Sequence, residues 1–436
     1  MAQTETVVER GDNLSPWAYR EVMEELAGLT AGQRIQFLRN RRGMTRAVVA
    51  GLCGRSADWL KKIETDERQL TSVNLLVRLA MALGVADISI LTGAEVGMPV
   101  VAMRVYHPAV EPIRRAVRSA VYAPLPPQAP AAGELAGRVS DGWKLWHSST
   151  HQRTEVGRLL PALISDVHAA ARLTEGTGRR AVYAVMTEVY ALAQLVVGYV
   201  SDPELYWTVA DRVQMSAREA DDPAPLALAA WCLAIGLRYT ADPQESITVA
   251  TGALDMLTRH LDDSQSTRLR AFAGALSLST AIYHAQDGRE GDAWRAWDQA
   301  DQIVRRLPAG YFEPATVFSR PNVDLYAVAI DRALARPGSA VGKAEALDPQ
   351  TVPSTERRSR LLIDAAAAYH QRRDHEAALN RLKAAYSAAP ENTSVVPAAR
   401  ALAVTLLESR PSSLAREVET LAEQLGVASP TGWQAE

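Results

Sequence analysis

Cysteine is nearly missing from this chain, with two residues in 436. Cys53 and Cys232 each sit inside an apolar helical pattern, so a four-thiolate metal site is excluded and a reducing compartment is expected. Phenylalanine is scarce as well, at four residues, and neither sign of charge prevails, since 47 Lys and Arg face 50 Asp and Glu. A net charge of -3 means that any nucleic-acid partner must be held by a local basic field and not by the surface as a whole. Long apolar runs are lacking: the most apolar stretch, residues 179–200, is broken by Glu188 and Gln194, so no membrane partner is expected. The first six residues have neither the basic nor the apolar region of a signal peptide, and a cytoplasmic location is expected. No segment alternates apolar and polar residues between hairpin turns, so the fold class expected is all-α. Phosphate-binding glycine loops, a nucleophile elbow and a His-Glu-x-x-His run are absent too, and neither catalysis nor a cofactor is expected.

What is present is a compact set of helix signals between Gln33 and Val85. Ile35 and Leu38 space a first helix that Gly43 ends. Thr45 is placed to cap a second, in which Val49, Ala50 and Cys53 form the buried edge, and Gly54 lies just past it where a left-handed turn is cheap. Ser56 caps a third helix that buries Leu60 and Ile63 and leaves Asp58, Lys61 and Lys62 outside. A fourth, over residues 72–83, turns Leu75, Leu76, Leu79, Ala80 and Leu83 inward. Two short helices joined by a glycine turn make a helix-turn-helix unit. From Arg34 to Lys62 the cations are Arg34, Arg39, Arg41, Arg42, Arg46, Arg55, Lys61 and Lys62, against the single acid Asp58. Such a local field is the footprint of phosphate binding.

The segment resembles the Cro/repressor-type DNA-binding domain of the xenobiotic-response-element (XRE) family, over about an eighth of the chain. The residues that carry the likeness are Gly43-Met44-Thr45, Val49-Ala50, Cys53-Gly54, Ser56, Trp59-Leu60 and Ile63-Glu64. Three positions depart from the pattern: Arg46 replaces the usual glutamine, Arg55 the usual aliphatic residue, and Asp66 the usual glycine. Asp66 fits, because aspartate visits the left-handed region readily. The resemblance implies that Ser56, Ala57, Asp58, Lys61 and Lys62 face the major groove with Arg46 beside them. Arg34, Arg41 and Arg42 are expected to contact phosphates. One such head reads few base pairs, so a homodimer on an inverted repeat is expected.

Around this domain, taken as residues 31–96, the organisation is read from composition. Residues 1–30 form a polar tail and an extra helix over 16–29 with Trp17, Val22 and Leu26 available for packing. Residues 97–133 form a junction: a short apolar piece at 99–105, a helix over 107–122, and a proline-rich stretch at 124–130 expected to be a stiff spacer and the best domain boundary. Residues 134–436 read as helix almost throughout, broken at Thr-Glu-Gly-Thr-Gly, Ser-Asp-Pro, Asp-Asp-Pro, Ala-Asp-Pro, Asp-Gly and Arg-Pro-Gly-Ser, with small residues recurring where paired helices cross. The clearest set is Leu362, Ala366, Tyr369, Ala378, Leu382, Ala385 and Pro390, which fits the 34-residue tetratricopeptide (TPR) repeat. Weaker copies are Ala234, Leu237, Ser246, Ala250, Ala253 and Ala281, His284, Ala293, Trp297, Ala300. A TPR-like α-solenoid with a concave face is expected, a surface that binds extended peptides.

A DNA-binding head with such a tail is similar to the peptide-responsive RRNPP regulators, and more closely to actinobacterial XRE regulators with a TPR tail. The segment from Val317 to Tyr326 resembles the Phe-Gly-Pro-Thr-Asn-Val stretch of that group, with Ser319 and Arg320 departing from it. The resemblance implies a peptide or small-molecule ligand, with Asn322 the leading contact and Phe318 and Tyr326 beside it; the alternative is that Asn322 caps a helix over 323–336. His147 and His151 stand four apart with Glu155 one turn on, but no second helix offers a partner, and no metal is expected. Trp143, Trp146, Trp207, Trp231, Trp294 and Trp297 read as core between repeats, with one or two available to line a groove. The expected function is a ligand-responsive transcription regulator; the alternative is an adaptor whose array docks a partner protein, with DNA binding secondary.

Overall fold

The structure, a computed structural model, describes residues 26, 28–68, 73–83, 85, 89–92, 105, 107–237, 243–261, 266–409 and 414–427. The extra helix expected over 16–29 therefore lies outside the described residues except at its end. Among the described residues every regular element is helical, as the lack of alternation requires. The chain divides into two compact units, residues 1–105 and 106–436.

In the first unit, α1 (Ala31–Arg41) starts with a capping box: Thr30 accepts from the Gln33 amide at 3.2 Å, and the Gln33 side chain accepts from the Thr30 amide at 3.0 Å. α2 (Arg46–Leu52) and α3 (Ala57–Glu64) follow, then α4 (Val73–Ala82) and the short α5 (Ser89–Thr92). Gly43 and Gly54 take φ of +63° and +67° at the two turns, and Asp66 takes +57° after α3. Those three left-handed residues set the angles between the helices. Ile35, Val49, Ala50, Leu60, Leu79 and Leu83 are fully enclosed in one core, which also takes Leu26, Ile90 and Leu91. Gly32 marks the closest approach, since a Cβ there would stand 2.1 Å from the carbonyl oxygen of Ile63.

The second unit is a stack of helix hairpins. It begins with α6 (Val110–Ser119) and a 3-10 turn, Ala120–Tyr122, both packed on α8 (Gln152–Leu173). Arg172 of α8 donates to the carbonyl of Ala123 at 2.8 Å. The proline-rich stretch at 124–130 thus lies inside the second unit, and the division of the chain falls near residue 105. Prolines break a helix equally well within a unit and between units.

α7 (Ala132–Ser148) and α8 form the first hairpin. The next are α9 (Gly176–Val197) with α10 (Pro203–Ala220), α11 (Pro223–Leu237) with α12 (Pro243–Leu261), and α13 (Thr267–Gln286) with α14 (Glu290–Arg305). Then come α15 (Arg320–Ala333) with α16 (Pro337–Glu345), and α17 (Thr355–Gln371) with α18 (His375–Ala388), closed by α19 (Pro390–Val395), α20 (Pro397–Ser409) and α21 (Ala415–Gln424). The first helix of each pair also packs on the first helix of the next, giving an inner layer α7, α9, α11, α13, α15, α17. Leu362, Ala366, Ala378, Leu382 and Ala385 are buried where α17 meets α18, at the crossing positions read from sequence. Only the step from Arg320 to Thr355 approaches the 34-residue period; the other hairpins start 44 to 53 residues apart because their helices run up to 22 residues.

α9 is long and apolar enough to cross a membrane by length and composition, and most of it is buried within the protein. The array turns far enough for its two ends to touch. Glu391 of α19 accepts from the amides of Arg153 and Thr154 in the first turn of α8, at 2.6 and 3.2 Å, and pairs with His107 at 2.9 Å. A carboxylate at a helix N-terminus satisfies orphan donors and meets the positive end of the dipole.

Candidate nucleic-acid interface and array interior

Local chemistry builds the head's outer face. Thr45 accepts from the Val48 amide at 3.3 Å and starts α2; Ser56 accepts from the Trp59 amide at 3.2 Å and starts α3. With Trp59, Leu60 and Ile63 inside, Ser56, Ala57, Asp58, Lys61 and Lys62 are all exposed on one side of α3. Lys62 and Asp58, one turn apart, pair at 2.9 Å. The hydrogen bond between them holds the Asp58 carboxyl below its usual range and the Lys62 amine above its own, so both stay charged at neutral pH. Arg55 in the turn and Arg41 and Arg42 at the end of α1 are exposed, and the Arg41 guanidinium lies 6.0 Å over the Phe37 ring.

Beneath this face lies a buried charge cluster. Glu64 is wholly enclosed; Arg39 donates to it twice, at 2.5 and 3.0 Å, and Arg46 once, at 2.7 Å. Arg39 also donates to the Met44 carbonyl at 3.0 Å, so one side chain ties α1 to the α1–α2 turn and to the end of α3. With these contacts the geometry of the head is complete. Residues 30–89 match the helix-turn-helix domain family. The head is a helix-turn-helix domain. Among curated proteins none matches the chain.

Helix-turn-helix domains in general place the second helix of the motif in the major groove, and the second helix of this motif is α3. The structure brings Ser56, Ala57, Asp58, Lys61 and Lys62 together there, and it corrects two arginines. Arg34 is buried: its Nε donates to the Leu29 carbonyl at 2.9 Å and its Nη1 to the Ile90 carbonyl at 3.3 Å. It holds the preceding turn and α5 onto the domain and is withdrawn from the phosphate contacts. Arg46 is committed through Nε to Glu64, with 38% of its side chain exposed, so only its outer edge is open to solvent. From sequence Glu64 is only one position of a pattern, since helical periodicity does not distinguish a buried glutamate from a solvated one.

The array interior differs more from expectation. Residues 308–319, between α14 and α15, form a strap laid against the inner helices. Phe312 meets the His147 ring edge-on at 5.0 Å, and the Pro314 carbonyl accepts from His147 Nε2 at 2.8 Å. That donation fixes the tautomer, so His147 Nδ1 accepts from the Ser354 hydroxyl at 3.0 Å. Glu313 pairs with Arg268 of α13 at 3.3 Å; Arg268 reaches Glu188 of α9 at 2.8 Å, and Glu188 accepts from the Trp143 indole of α7 at 3.2 Å. Phe318 is fully buried with its ring over Gly274, where a Cβ would stand 2.0 Å from Cζ. It is a core residue and not a groove contact. Tyr326 is partly buried against the core between α15 and α17.

Asn322 is buried in the first turn of α15, which begins at Arg320 after Ser319, so it does not cap the helix. His147 and His151 are parted by the end of α7 at Ser148, so the suggested histidine face does not form on one helix. Among the described residues no group of three or more His, Cys, Asp or Glu could hold a metal. Trp143, Trp146 and Trp231 are buried, whereas Trp207, Trp294 and Trp297 are half-buried.

These contacts give the array a defined acid response. Burial pushes the His147 imidazole down from 6.5 to about 4, and between those values the unfolded chain takes up a proton that the folded one refuses. Stability contributed by neutral His147 is present above 6.5 and is lost as pH falls toward 4, by about 2 kcal/mol between pH 7 and 5. Burial pushes His168 down likewise, to about 4. Burial tends to raise the Glu391 carboxyl, but bonds from His107, Thr154 and the Arg153 amide hold it at about 2, so its contribution is lost only below its unfolded value of 4.5. Melts of the wild type and His147→Gln at pH 7 and pH 5 test the first step. The variant is expected to lose less on acidification, and equal losses would move the proton to another site.

Proposed function

We propose that the protein is a transcription regulator that reads DNA through α3, and that its helical array mediates dimer formation and senses a peptide or small molecule. The observation that carries the DNA reading is the exposed, capped α3 of a helix-turn-helix domain with Lys61 and Lys62 on its outer side. A scaffold helix would have no need of two lysines there. Lys62 and Lys61 point toward base edges, Arg41 and Arg42 toward the flanking backbone, and Arg55 in the turn is placed to meet a phosphate. The array supports the sensing reading through its inner layer of six helices, which offers side chains from many elements to one extended ligand.

Lys62→Ala is expected to cost about 1 to 3 kcal/mol on the operator and less on random DNA, read by titration of labelled duplexes. Equal losses on both would make Lys62 a phosphate contact. The two arginines behave differently: Arg41→Ala and Arg42→Ala are each expected to flatten the salt dependence by about one counterion, with little change in sequence preference.

A further inference from the structure

Three irregularities fall within seven residues of the chain. Val317, buried and β-branched, is held at φ +60°, a conformation that such residues avoid. Thr316 Oγ1 and Asn322 Oδ1, both in residues 2% exposed, find no hydrogen-bond partner among the described residues. Buried polar atoms are nearly always paired, so each orphan calls for a cause.

All three lie at the rear of the strap or just beyond it, and its front is the opposite. Tyr311, Phe312, Glu313 and Pro314 are bonded to Arg268, His147 and one another: a carboxylate on a guanidinium, a ring against an imidazole, a carbonyl on an imidazole N–H, and the Tyr311 hydroxyl on Glu313 at 3.0 Å. The receiving groups come from α7, α9 and α13 and are themselves linked through Glu188. The strap is thus gripped at its front by a receptor built from three other helices and pinned at its rear by Phe318 over Gly274, while between the two grips Val317 is strained and Thr316 Oγ1 is unmet.

We propose that the strap is an internal occupant of a peptide site, and that a free short peptide with an aromatic-glutamate-proline core displaces its front from His147 and Arg268. This rests on the reading of the array as a ligand-binding domain and specifies what it takes. Displacement lets Val317 relax and opens Thr316 and the Asn322 amide, which offers both a donor and acceptors to a peptide backbone. The strain at Val317 lowers the cost of freeing the front, while Phe318 stays seated on Gly274 as the strap's rear anchor, so strap and peptide compete for the front alone.

The test is calorimetric titration of the full chain, without DNA, by the synthetic peptide Tyr-Phe-Glu-Pro-Ala-Thr. Glu313→Gln weakens the internal competitor while sparing the receptor, and is expected to bind the peptide at least tenfold more tightly than the wild type. Arg268→Gln removes the receptor cation and is expected to bind at least tenfold more weakly than Glu313→Gln. Val317→Gly relieves the strain with every anchor in place; it is expected to raise the melting temperature and weaken the peptide severalfold. Hydrogen exchange on the wild type serves if a variant fails to fold: the peptide should speed exchange at the Glu313 amide, now bonded to the Phe318 carbonyl at 3.1 Å.

No binding to folded wild type or Glu313→Gln, no change in strap exchange, or equal binding to Arg268→Gln overturns the proposal. A concentration-dependent dimer of Glu313→Gln that the peptide leaves intact would mean exchange of straps between copies, and would also overturn it. Because no DNA is present, these failures leave the DNA reading standing, and loss of DNA binding would leave the peptide result standing.

Discussion

Replacing Glu64 with leucine is expected to cost the head about 3 to 5 kcal/mol, because the guanidinium groups of Arg39 and Arg46 then lose the carboxylate they share inside the domain. A domain of this size has little more than that to lose. The head is therefore expected to be largely unfolded at 25 °C, with DNA binding gone and the helical signal of the array intact. Pairing Glu64→Leu with Arg39→Met should recover part of the loss, since an enclosed apolar pair is cheaper than a stranded cation. Urea titrations followed separately on the two units read this out. A head that unfolds within about 0.5 kcal/mol of wild type would show that the cluster is ornamental to stability.

Gly274→Ala is the second large effect, and it acts in the other unit. The added methyl would stand 2.0 to 2.6 Å from three ring carbons of Phe318, and neither partner has room, as Phe318 is fully buried and Gly274 lies within α13. Overpacking of a closed core costs about 1 to 3 kcal/mol, and here the ring must leave its seat. Phe318→Ala alone should cost about 3 to 5 kcal/mol through the cavity it leaves. The double variant is expected to be more stable than the sum of the two losses predicts, since each change removes the other's clash or void. Additive losses would mean that the two residues do not share a site.

The parts of the fold legible in the sequence are those that local chemistry decides. Thr45, Ser56, Gly43, Gly54 and Asp66 act within a few residues of themselves, through a cap or a left-handed backbone, and each lies where its type alone places it. The lysines of α3 are legible for the same reason, because a helix with Leu60 and Ile63 inside has only one outside. Arg34 and Phe318 are not, because what buries them is distant in sequence: the Ile90 carbonyl, 56 residues on, and Gly274, 44 residues back. Asn322 fails as a cap because Pro321 suits the first turn of a helix, so α15 starts earlier than the asparagine suggests. The strap's seat is not legible either: residues 308–319 are mostly apolar, which announces burial, but a loop without helical or strand period does not say which helices it lies against.

The most direct measurement of the account's central claim is a titration of the whole protein with its own upstream DNA and with random duplex at several salt concentrations, repeated with Lys61→Ala and Lys62→Ala together. A regulator that reads DNA through α3 binds the upstream DNA more tightly than random duplex, loses affinity linearly in the logarithm of salt, and loses its preference in the double variant. Equal affinity for both duplexes, unchanged by the two substitutions in a protein that melts as the wild type does, would contradict the claim.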